Sequence, residues 1–228
     1  MRVPGKLGVK STMEYFPIFI DLHDKLVLVI GHYRVLEFKV NKLLEAGAKI
    51  RFISDSLAVD SENYIKSDRI SYFKDKFKNK YLDNVWLVIC GSDDADLKIK
   101  VAEETARKNI LCNFVDEAPI SSFISPSVIS KGDITIAIST KGKSPALNRY
   151  IKSKISENIG DEYQYLAELL GKIRSKVIDN ISDQKRRSEL FDTIIQHPKV
   201  LDLIRKNKSE EAEQLTLKLI NKVIDNQN

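Results

Sequence analysis

The chain has 228 residues, of which 43% are hydrophobic and 30% are charged, so it is long enough for one large domain and a smaller one. Its apolar runs fall far short of the about 20 residues that a transmembrane helix needs, so no transmembrane helix is predicted. The net charge of +5 arises from basic residues interleaved with 32 acidic ones, and this pattern disfavours nucleic-acid binding while remaining compatible with an acidic small molecule.

The N-terminal segment, residues 1–14, is basic and has no apolar core. We predict a flexible tail there and no secretory signal, and therefore a cytoplasmic protein. Residues Tyr15 to Leu22 follow, with Pro17 among them. A proline excludes a central strand but permits an edge strand or a lead-in segment.

A strand, a helix and a second strand are predicted between Leu26 and Ile53. Leu26 to Ile30 is a short apolar run that ends at Gly31, as is typical of a buried parallel strand. The next residues repeat apolar side chains at helical spacing until Gly47 ends the helix. The residues predicted on its core side are Val35, Phe38, Leu43 and Leu44. Such a βαβ unit places a helix N-terminus at the carboxyl edge of a parallel sheet, where a phosphate is favoured.

The loop of this unit departs from the dinucleotide-binding fingerprint G-x-G-x-x-G/A. Its six positions are Gly31, His32, Tyr33, Arg34, Val35 and Leu36. Only the first position matches, and a side chain at Tyr33 should crowd a pyrophosphate in the usual place. The βαβ pattern therefore predicts the fold strongly, whereas the loop gives only a weak prediction that a dinucleotide binds.

Polar residues follow the second predicted strand at the same edge of the sheet. Asp55 and Ser56 stand about 20 residues past the glycine, where the fingerprint expects a ribose-binding acid. A helix cap or a turn residue would have the same appearance there. Arg69 to Lys74 is a more polar candidate for the next strand.

Two further buried strands bring polar side chains to this edge. Val85 to Cys90 is followed by Gly-Ser-Asp-Asp, in which Ser92 could meet a ligand and the aspartates could cap the helix predicted from Ala95 to Lys108. Ile110 to Val115 forms the next strand. The polar residues that it brings to the edge are Asn113 and Asp116.

The cysteines and histidines predict no preformed metal site. Cys90 and Cys112 lie inside apolar, strand-like runs, which is typical of buried free thiols. The three histidines are scattered along the chain without the spacing of metal ligands.

The pattern changes after Ala118. Phe123 to Lys131 and Asp133 to Ser139 alternate as two strands, and a Lys-Gly-Lys-Ser segment then opens a helix at Pro145. Lys141 and Lys143 could hold carboxylates at that helix entrance, or could belong to a solvated turn. Beyond Gly160 the periodicity is helical throughout, and we predict a small helical domain without chemistry of its own.

Five segments resemble one protein family. They are YFPIFIDL, LLEAGAKI, LVICGSDDADL, CNFVDEAPISSFISPSVISKGDITIAISTKGKSPAL and KRRSELFD. Together they resemble the siroheme synthase dehydrogenase/ferrochelatase family over nearly all of the chain after Tyr15. The resulting expectation is an α/β protein, with a Rossmann-like doubly wound parallel sheet in residues 15–121, a small strand-containing dimerisation region in residues 122–160 and a helical domain in residues 161–228.

The resemblance also implies an activity. Members of this family oxidise precorrin-2 to sirohydrochlorin with NAD, and many then insert ferrous iron to give siroheme. They act as homodimers on an acidic tetrapyrrole. The resemblance implies that Asp116 is the catalytic carboxylate, which would take up protons from the macrocycle.

The implied binding residues fall into two sets. The cofactor set, in which Ser92 is our addition from the strand pattern, comprises Gly31, Arg34, Val35, Asp55, Ser56 and Ser92. The substrate set comprises Asn113, Thr140, Lys141, Lys143 and Ser144, with Thr140 at the position of a family serine that is modified in some members.

The glycine loop leaves three hypotheses open, because family members usually read Gly-Gly-Gly-x-Val-Ala there. The chain could be an NAD-dependent dehydrogenase with a tolerated loop variant, a chelatase that has lost the dinucleotide, or a non-enzymatic tetrapyrrole carrier. We predict the first. Tight NAD binding would exclude the other two.

Overall fold

The structure, a computed structural model, describes residues 15–55, 67–115 and 117–225, without the side chains of residues 33–35. The predicted tail, Ser56 and Asp116 therefore lie outside the described residues. The chain divides after Ser125 into two compact units. The predicted boundaries at residues 121 and 160 stay predictions.

A five-stranded parallel sheet forms the centre of the first unit. Its strands are β1 (Leu26–Gly31), β2 (Lys49–Ser54), β3 (Ile70–Lys74), β4 (Val85–Gly91) and β5 (Leu111–Phe114). They lie in the order β3-β2-β1-β4-β5. The order reverses between β1 and β4, and doubly wound sheets bind their ligands at that point. The predicted Rossmann-like fold class is confirmed.

Two helices cover opposite faces of this sheet. Helix α1 (Tyr33–Glu45) packs Leu36 and Val40 on the face that carries Val27 and Val29. Helix α2 (Ala95–Arg107) packs on the other face. Because both faces are covered, the central strands are continuous apolar runs, as predicted.

One residue of the predicted helix face is wrong. Phe38 is 72% exposed, whereas Leu36 and Val40 are buried. Successive residues of an α-helix turn by about 100°, so Phe38 lies on the far side of the helix from both of them. Gly47 follows the helix with a φ of +74°, which fits the predicted helix end.

The N-terminal segment of the described chain, Tyr15 to Leu22, contains no strand and leads into the sheet, which is the second of the two predicted alternatives. Leu22 is buried against the α1 face of the core. Both cysteines are free and buried, as predicted.

The second unit combines a hairpin with helices. Strands β6 (Ser127–Lys131) and β7 (Ile134–Ile138) pair antiparallel. The helices are α3 (Pro145–Asn158), α4 (Asp161–Asn180), α5 (Gln184–Ile195), α6 (Pro198–Arg205) and α7 (Ser209–Asp225). Helices α4 to α7 share one apolar core, as the periodicity predicted. No helix in the described part of the chain is long and apolar enough to span a membrane.

Candidate cofactor site

A cleft of about 510 Å³ opens at the carboxyl ends of β1, β2 and β4. Its lining includes three residues of the predicted cofactor set, Gly31, Asp55 and Ser92. The volume lies within the range of about 300–1,000 Å³ that is usual for ligand sites. The sheet thus brings these residues together at the edge where the sequence predicted a site.

Gly31 ends β1 in a conformation that needs a glycine. Its φ is +128°, and a Cβ built there would overlap the backbone carbonyl of Gly91. The two glycines are paired in the register of β1 and β4. The chain can therefore turn from β1 into α1 directly beside the neighbouring strand.

The N-terminus of α1 is suited to an anion. His32 precedes the helix without a side-chain cap hydrogen bond, and the first turn carries no acidic residue. Backbone N–H groups and the helix dipole favour a phosphate at such a terminus. Arg34 and Val35 lie in this turn, although their side chains are among those not described. The backbone of this terminus therefore suits the phosphates of a dinucleotide, and the side chain of Tyr33, which the sequence predicts to crowd them, is also among those not described.

Helix α2 has the opposite character at its N-terminus. Asp94 caps it, with Oδ1 accepting a hydrogen bond from the Leu97 N–H at 3.1 Å, and Asp96 stands in the first turn. The Ser92 hydroxyl accepts a hydrogen bond from the Asp94 N–H at 3.2 Å. The cap predicted for this segment is therefore confirmed, and the carboxylates make α2 a poor place for a phosphate.

Two aspartates and a lysine, Asp55, Asp75 and Lys76, line the cleft at the ends of β2 and β3. Asp55 is exposed at the end of β2. Asp75 follows the neighbouring strand β3, and its pKa is lowered to about 2, first by a hydrogen bond from Lys78 and then by one from the Tyr81 hydroxyl. Asp75 is thus a permanent carboxylate at neutral pH. Its charge is compensated by Lys78 at 2.7 Å, so the carboxylate of Asp55 is the one that would repel an additional phosphate group on the ligand.

Asn113, a member of the predicted substrate set, is buried at the end of β5. Its amide donates to the Phe123 carbonyl at 3.0 Å, and its Oδ1 accepts from Lys39 Nζ at 3.3 Å. Lys39 also donates to Ser125 Oγ at 2.9 Å. Both ends of the amide therefore have protein partners, so the substrate role of Asn113 stays a prediction. The half-buried Lys39 was missed, because a lysine on an amphipathic helix is usually solvated.

Two serines fix the chain on either side of residue 116. Ser121 Oγ accepts from the Phe114 N–H at 2.9 Å and donates to the Glu117 carbonyl at 2.8 Å. Ser122 Oγ accepts from the Cys112 N–H at 2.7 Å. Glu117 also accepts a hydrogen bond from Lys98 of α2, and this hydrogen bond raises the pKa of Lys98. These contacts were not predicted.

The predicted substrate residues of the second unit form the turn before α3. Thr140 Oγ1 accepts from the Ser144 N–H at 3.3 Å, and Ser144 Oγ caps the helix by accepting from the Leu147 N–H at 3.2 Å. Lys141 and Lys143 are exposed beside it. The turn holds two exposed cations at a helix entrance, which suits carboxylate binding but does not test it.

The described residues include no group of three or more His, Cys, Asp or Glu side chains placed to hold a metal ion. Burial raises the pKa of both thiols, that of Cys90 to about 11. A thiol must lose its proton to bind a metal, so these cysteines are poor ligands.

Two family models match the chain. The first, described as "Putative NAD(P)-binding", matches residues 18–127, and the second, described as "Sirohaem synthase dimerisation region", matches residues 162–220. The first match coincides with the unit that carries the cleft, so this unit is similar to the putative NAD(P)-binding domains that the model describes. The second lies in the helices, after the predicted dimerisation region of residues 122–160, whose placement stays a prediction.

Curated relatives match both units. The siroheme synthase of Photorhabdus laumondii is 32% identical over 79% of this chain and 38% of its own length. Siroheme synthase 1 of Serratia proteamaculans is 35% identical over 76% of this chain and 37% of its own length. The chain thus spans less than half the length of these relatives.

A solved structure shares the fold. The precorrin-2 dehydrogenase SirC superposes with a TM-score of 0.71 and 22% identity, covering 90% of this chain and all of that one.

Proposed function

Because the chain belongs to the family formed by the N-terminal part of siroheme synthases, we propose that it oxidises precorrin-2 to sirohydrochlorin with NAD. The observation that carries this proposal is the cleft at the ends of β1, β2 and β4, which joins an uncapped helix N-terminus to Asp55. These are the two parts by which a Rossmann-like sheet holds a dinucleotide.

The cofactor would be held by backbone and side chains together. Gly31 and the first turn of α1, with Arg34 and Val35, would bind the diphosphate, and Asp55 and Ser56 would bind the adenosine ribose. Ser92 would line the cleft on the β4 side. When bound, NAD supplies the acceptor for a hydride.

The position of Asp55 favours NAD over NADP. Asp55 would accept hydrogen bonds from a free ribose 2′-hydroxyl, whereas it would repel a 2′-phosphate. Asp75, which follows the next strand, is paired with Lys78 at 2.7 Å, so the discrimination would rest on Asp55. This arrangement supports the choice of NAD within the broader NAD(P)-binding class.

The remaining predicted residues would act on the tetrapyrrole. Asp116 would accept the proton that leaves the macrocycle as a hydride departs to the cofactor, so that the substrate loses two electrons and two protons in all. In the second unit, Lys141 and Lys143 would pair with substrate carboxylates, beside Thr140 and Ser144. Asn113 of the first unit would be a separate contact to the substrate. Ferrous iron would be a further substrate if chelation follows. A homodimer and a cytoplasmic location stay part of the proposal.

Calorimetric titration of the 228-residue chain with NAD is the first test, repeated on Tyr33→Gly. Micromolar binding by the unsubstituted chain would support the dehydrogenase. Binding by Tyr33→Gly alone would mean that the side chain at residue 33 closes the site, and would favour the chelatase or the carrier.

Turnover provides the second test. The chain should form sirohydrochlorin from precorrin-2 only when NAD is present, and Asp116→Ala should lose about 10²- to 10⁴-fold in rate, as expected for a proton-transfer residue. Asp133→Ala, an exposed change in the β6–β7 turn, is the matched control and should retain its rate. An Asp116→Ala protein of unchanged rate would contradict the catalytic assignment.

A further inference from the structure

Leu36 of α1 packs directly against Gly91 at the end of β4. Leu36 is fully buried. A Cβ built on Gly91 would lie 2.7 Å from Leu36 Cδ2 and 3.1 Å from its Cγ, both inside the 3.4 Å at which ordinary contact begins. No side chain larger than hydrogen therefore fits at residue 91 while Leu36 keeps its place.

This contact lies where the dinucleotide fingerprint requires close packing. The sixth fingerprint position is normally small, so that the helix can approach the sheet. Leu36 occupies that position here, and a leucine would hold α1 away from the strands unless the facing surface provided room. Gly91 lies on the same face of β4 as Leu87 and Ile89, which is the face that α1 covers.

We propose that Gly91 is a positioning residue for the cofactor. By lacking a side chain it accommodates Leu36, and it thereby keeps the first turn of α1 at the distance from β1 at which its N–H groups reach a diphosphate. The inference rests on the proposed NAD binding. It extends that proposal as follows. In the fingerprint a small residue on the helix allows close packing, whereas here the small residue is Gly91 on β4.

Rotation of the Leu36 side chain would not remove its overlap with a methyl group at residue 91. The leucine is fully buried in the same apolar cluster as Val29, Val40 and Ile89. Protein interiors are close-packed, so a displaced Cδ2 meets another core atom. The added methyl group must therefore shift the start of α1 or strain the core beside it.

The test combines Gly91→Ala with two reductions of its neighbour, Leu36→Ala and Leu36→Val. Valine lacks the Cδ atoms, including the one that makes the shortest contact, and leaves a smaller cavity, so it serves if the alanine variant folds poorly. Each single and double variant is titrated with NAD and melted without it. Gly171→Ala is the matched control, because a Cβ there would meet nothing within 4 Å.

Gly91→Ala should weaken NAD binding by at least about tenfold, since small misplacements of binding groups carry large losses. Its melting temperature should also fall, although a Gly→Ala change in a strand ordinarily stabilises. Either reduction of Leu36 should restore much of the affinity to Gly91→Ala, and Gly171→Ala should bind NAD normally.

Two outcomes would overturn the inference. One is a Gly91→Ala protein that binds NAD as the unsubstituted chain does, and the other is a double variant that binds no better than Gly91→Ala. Failure of the unsubstituted chain to bind NAD would instead overturn the proposed cofactor. The packing of Leu36 on Gly91 would then be tested by the changes in melting temperature. If the change in a double variant differs from the sum of the two single changes, the two residues are in contact.

Discussion

Lys39 Nζ donates a hydrogen bond to Asn113 Oδ1 over 3.3 Å, joining α1 to the end of β5 across 74 residues of sequence. Asn113 lies beside Ile89 in the register of β4 and β5, and thus on the sheet face that α1 covers. The same amine reaches Ser125 Oγ, so one side chain ties together three separate segments of the first unit.

Lys39→Met should therefore destabilise the protein. Asn113 is only 5% exposed, and its Oδ1 would lose this partner inside the fold. An unsatisfied buried acceptor costs about 1–3 kcal/mol in the free energy of unfolding. Urea denaturation measures this loss, and precorrin-2 oxidation should slow as well, because Asn113 precedes the predicted catalytic carboxylate by three residues.

Lys42→Met is the matched control on the same helix. Lys42 is exposed and pairs with Glu45, three residues further along the helix, at 2.5 Å. Such surface pairs contribute at most about 0.5 kcal/mol. Equal losses in the two variants would show that Lys39 stabilises the fold no more than an ordinary surface lysine does.

Asp55→Asn should reduce the preference for NAD over NADP. The change removes a charged acceptor for the ribose 2′-hydroxyl, and hydrogen bonds to charged groups contribute about 1.5–3 kcal/mol, or about tenfold to a hundredfold in affinity. It also removes a charge that would repel a 2′-phosphate. The dissociation constants of both dinucleotides should therefore converge.

Asp96→Asn provides the comparison for this change, because Asp96 lines the same cleft from α2. It should leave the ratio of the two dissociation constants nearly unchanged. If the ratio moved equally in both variants, the discrimination would come from the overall charge of the cleft rather than from the position of Asp55.

The sequence predicted the sheet because buried parallel strands have a distinctive pattern. Leu26 to Ile30 and Val85 to Cys90 are apolar at every position, and only a strand covered on both faces needs that. The sequence also predicted that Gly31, Asp55 and Ser92 lie close together, because the carboxyl ends of parallel strands meet at one edge of the sheet. Periodicity left the rotation of α1 uncertain by one residue position, which put Phe38 on the wrong face.

The long-range contacts of the site were beyond the reach of sequence patterns. Lys39 follows Leu36 by three residues and precedes Val40, so its position near the buried face was a weak signal. Its acceptors lie in distant segments whose proximity depends on the complete sheet. The packing of Leu36 on Gly91 could not be predicted either. Leu36 alone is an unfavourable residue at the sixth fingerprint position, and Gly91 alone is an ordinary glycine at the end of a strand.

Asp75 should make stability depend on pH in the acid range. Folding lowers its pKa from 3.8 to about 2, chiefly through Lys78. A carboxyl whose pKa is lower in the folded state stabilises the protein above pH 3.8, and that contribution is lost as the pH falls through about 2. Thermal unfolding followed from pH 5 to pH 2 measures the slope.

Asp75→Asn should be less stable at neutral pH and should approach the unsubstituted protein as the pH falls. Lys78→Met removes the main cause of the shift, and Tyr81→Phe removes the second while keeping the ring. Each should flatten the acid slope in part. Parallel pH profiles for Asp75→Asn and the unsubstituted chain would contradict the assignment.

The rate at which the two cysteines react with a thiol reagent measures how often the sheet opens. Cys90 and Cys112 are free and buried, and the pKa of Cys90 is raised to about 11. At pH 8 roughly a thousandth of such a thiol is ionised, and only thiolates react quickly with a disulfide reagent. Labelling of the folded protein should therefore be slow, whereas urea-unfolded protein should label two thiols at once.

NAD should slow this labelling further if it binds the folded sheet. Cys90 immediately precedes Gly91, so exposing its thiol separates the strand from the neighbours that form the cleft. A ligand at 100 times its dissociation constant stabilises the closed form by about 2.7 kcal/mol, which corresponds to roughly hundredfold slower labelling through that opening. A rate unchanged by saturating NAD would mean that the thiols become exposed without disruption of the cleft, and that β4 opens independently of the cofactor site.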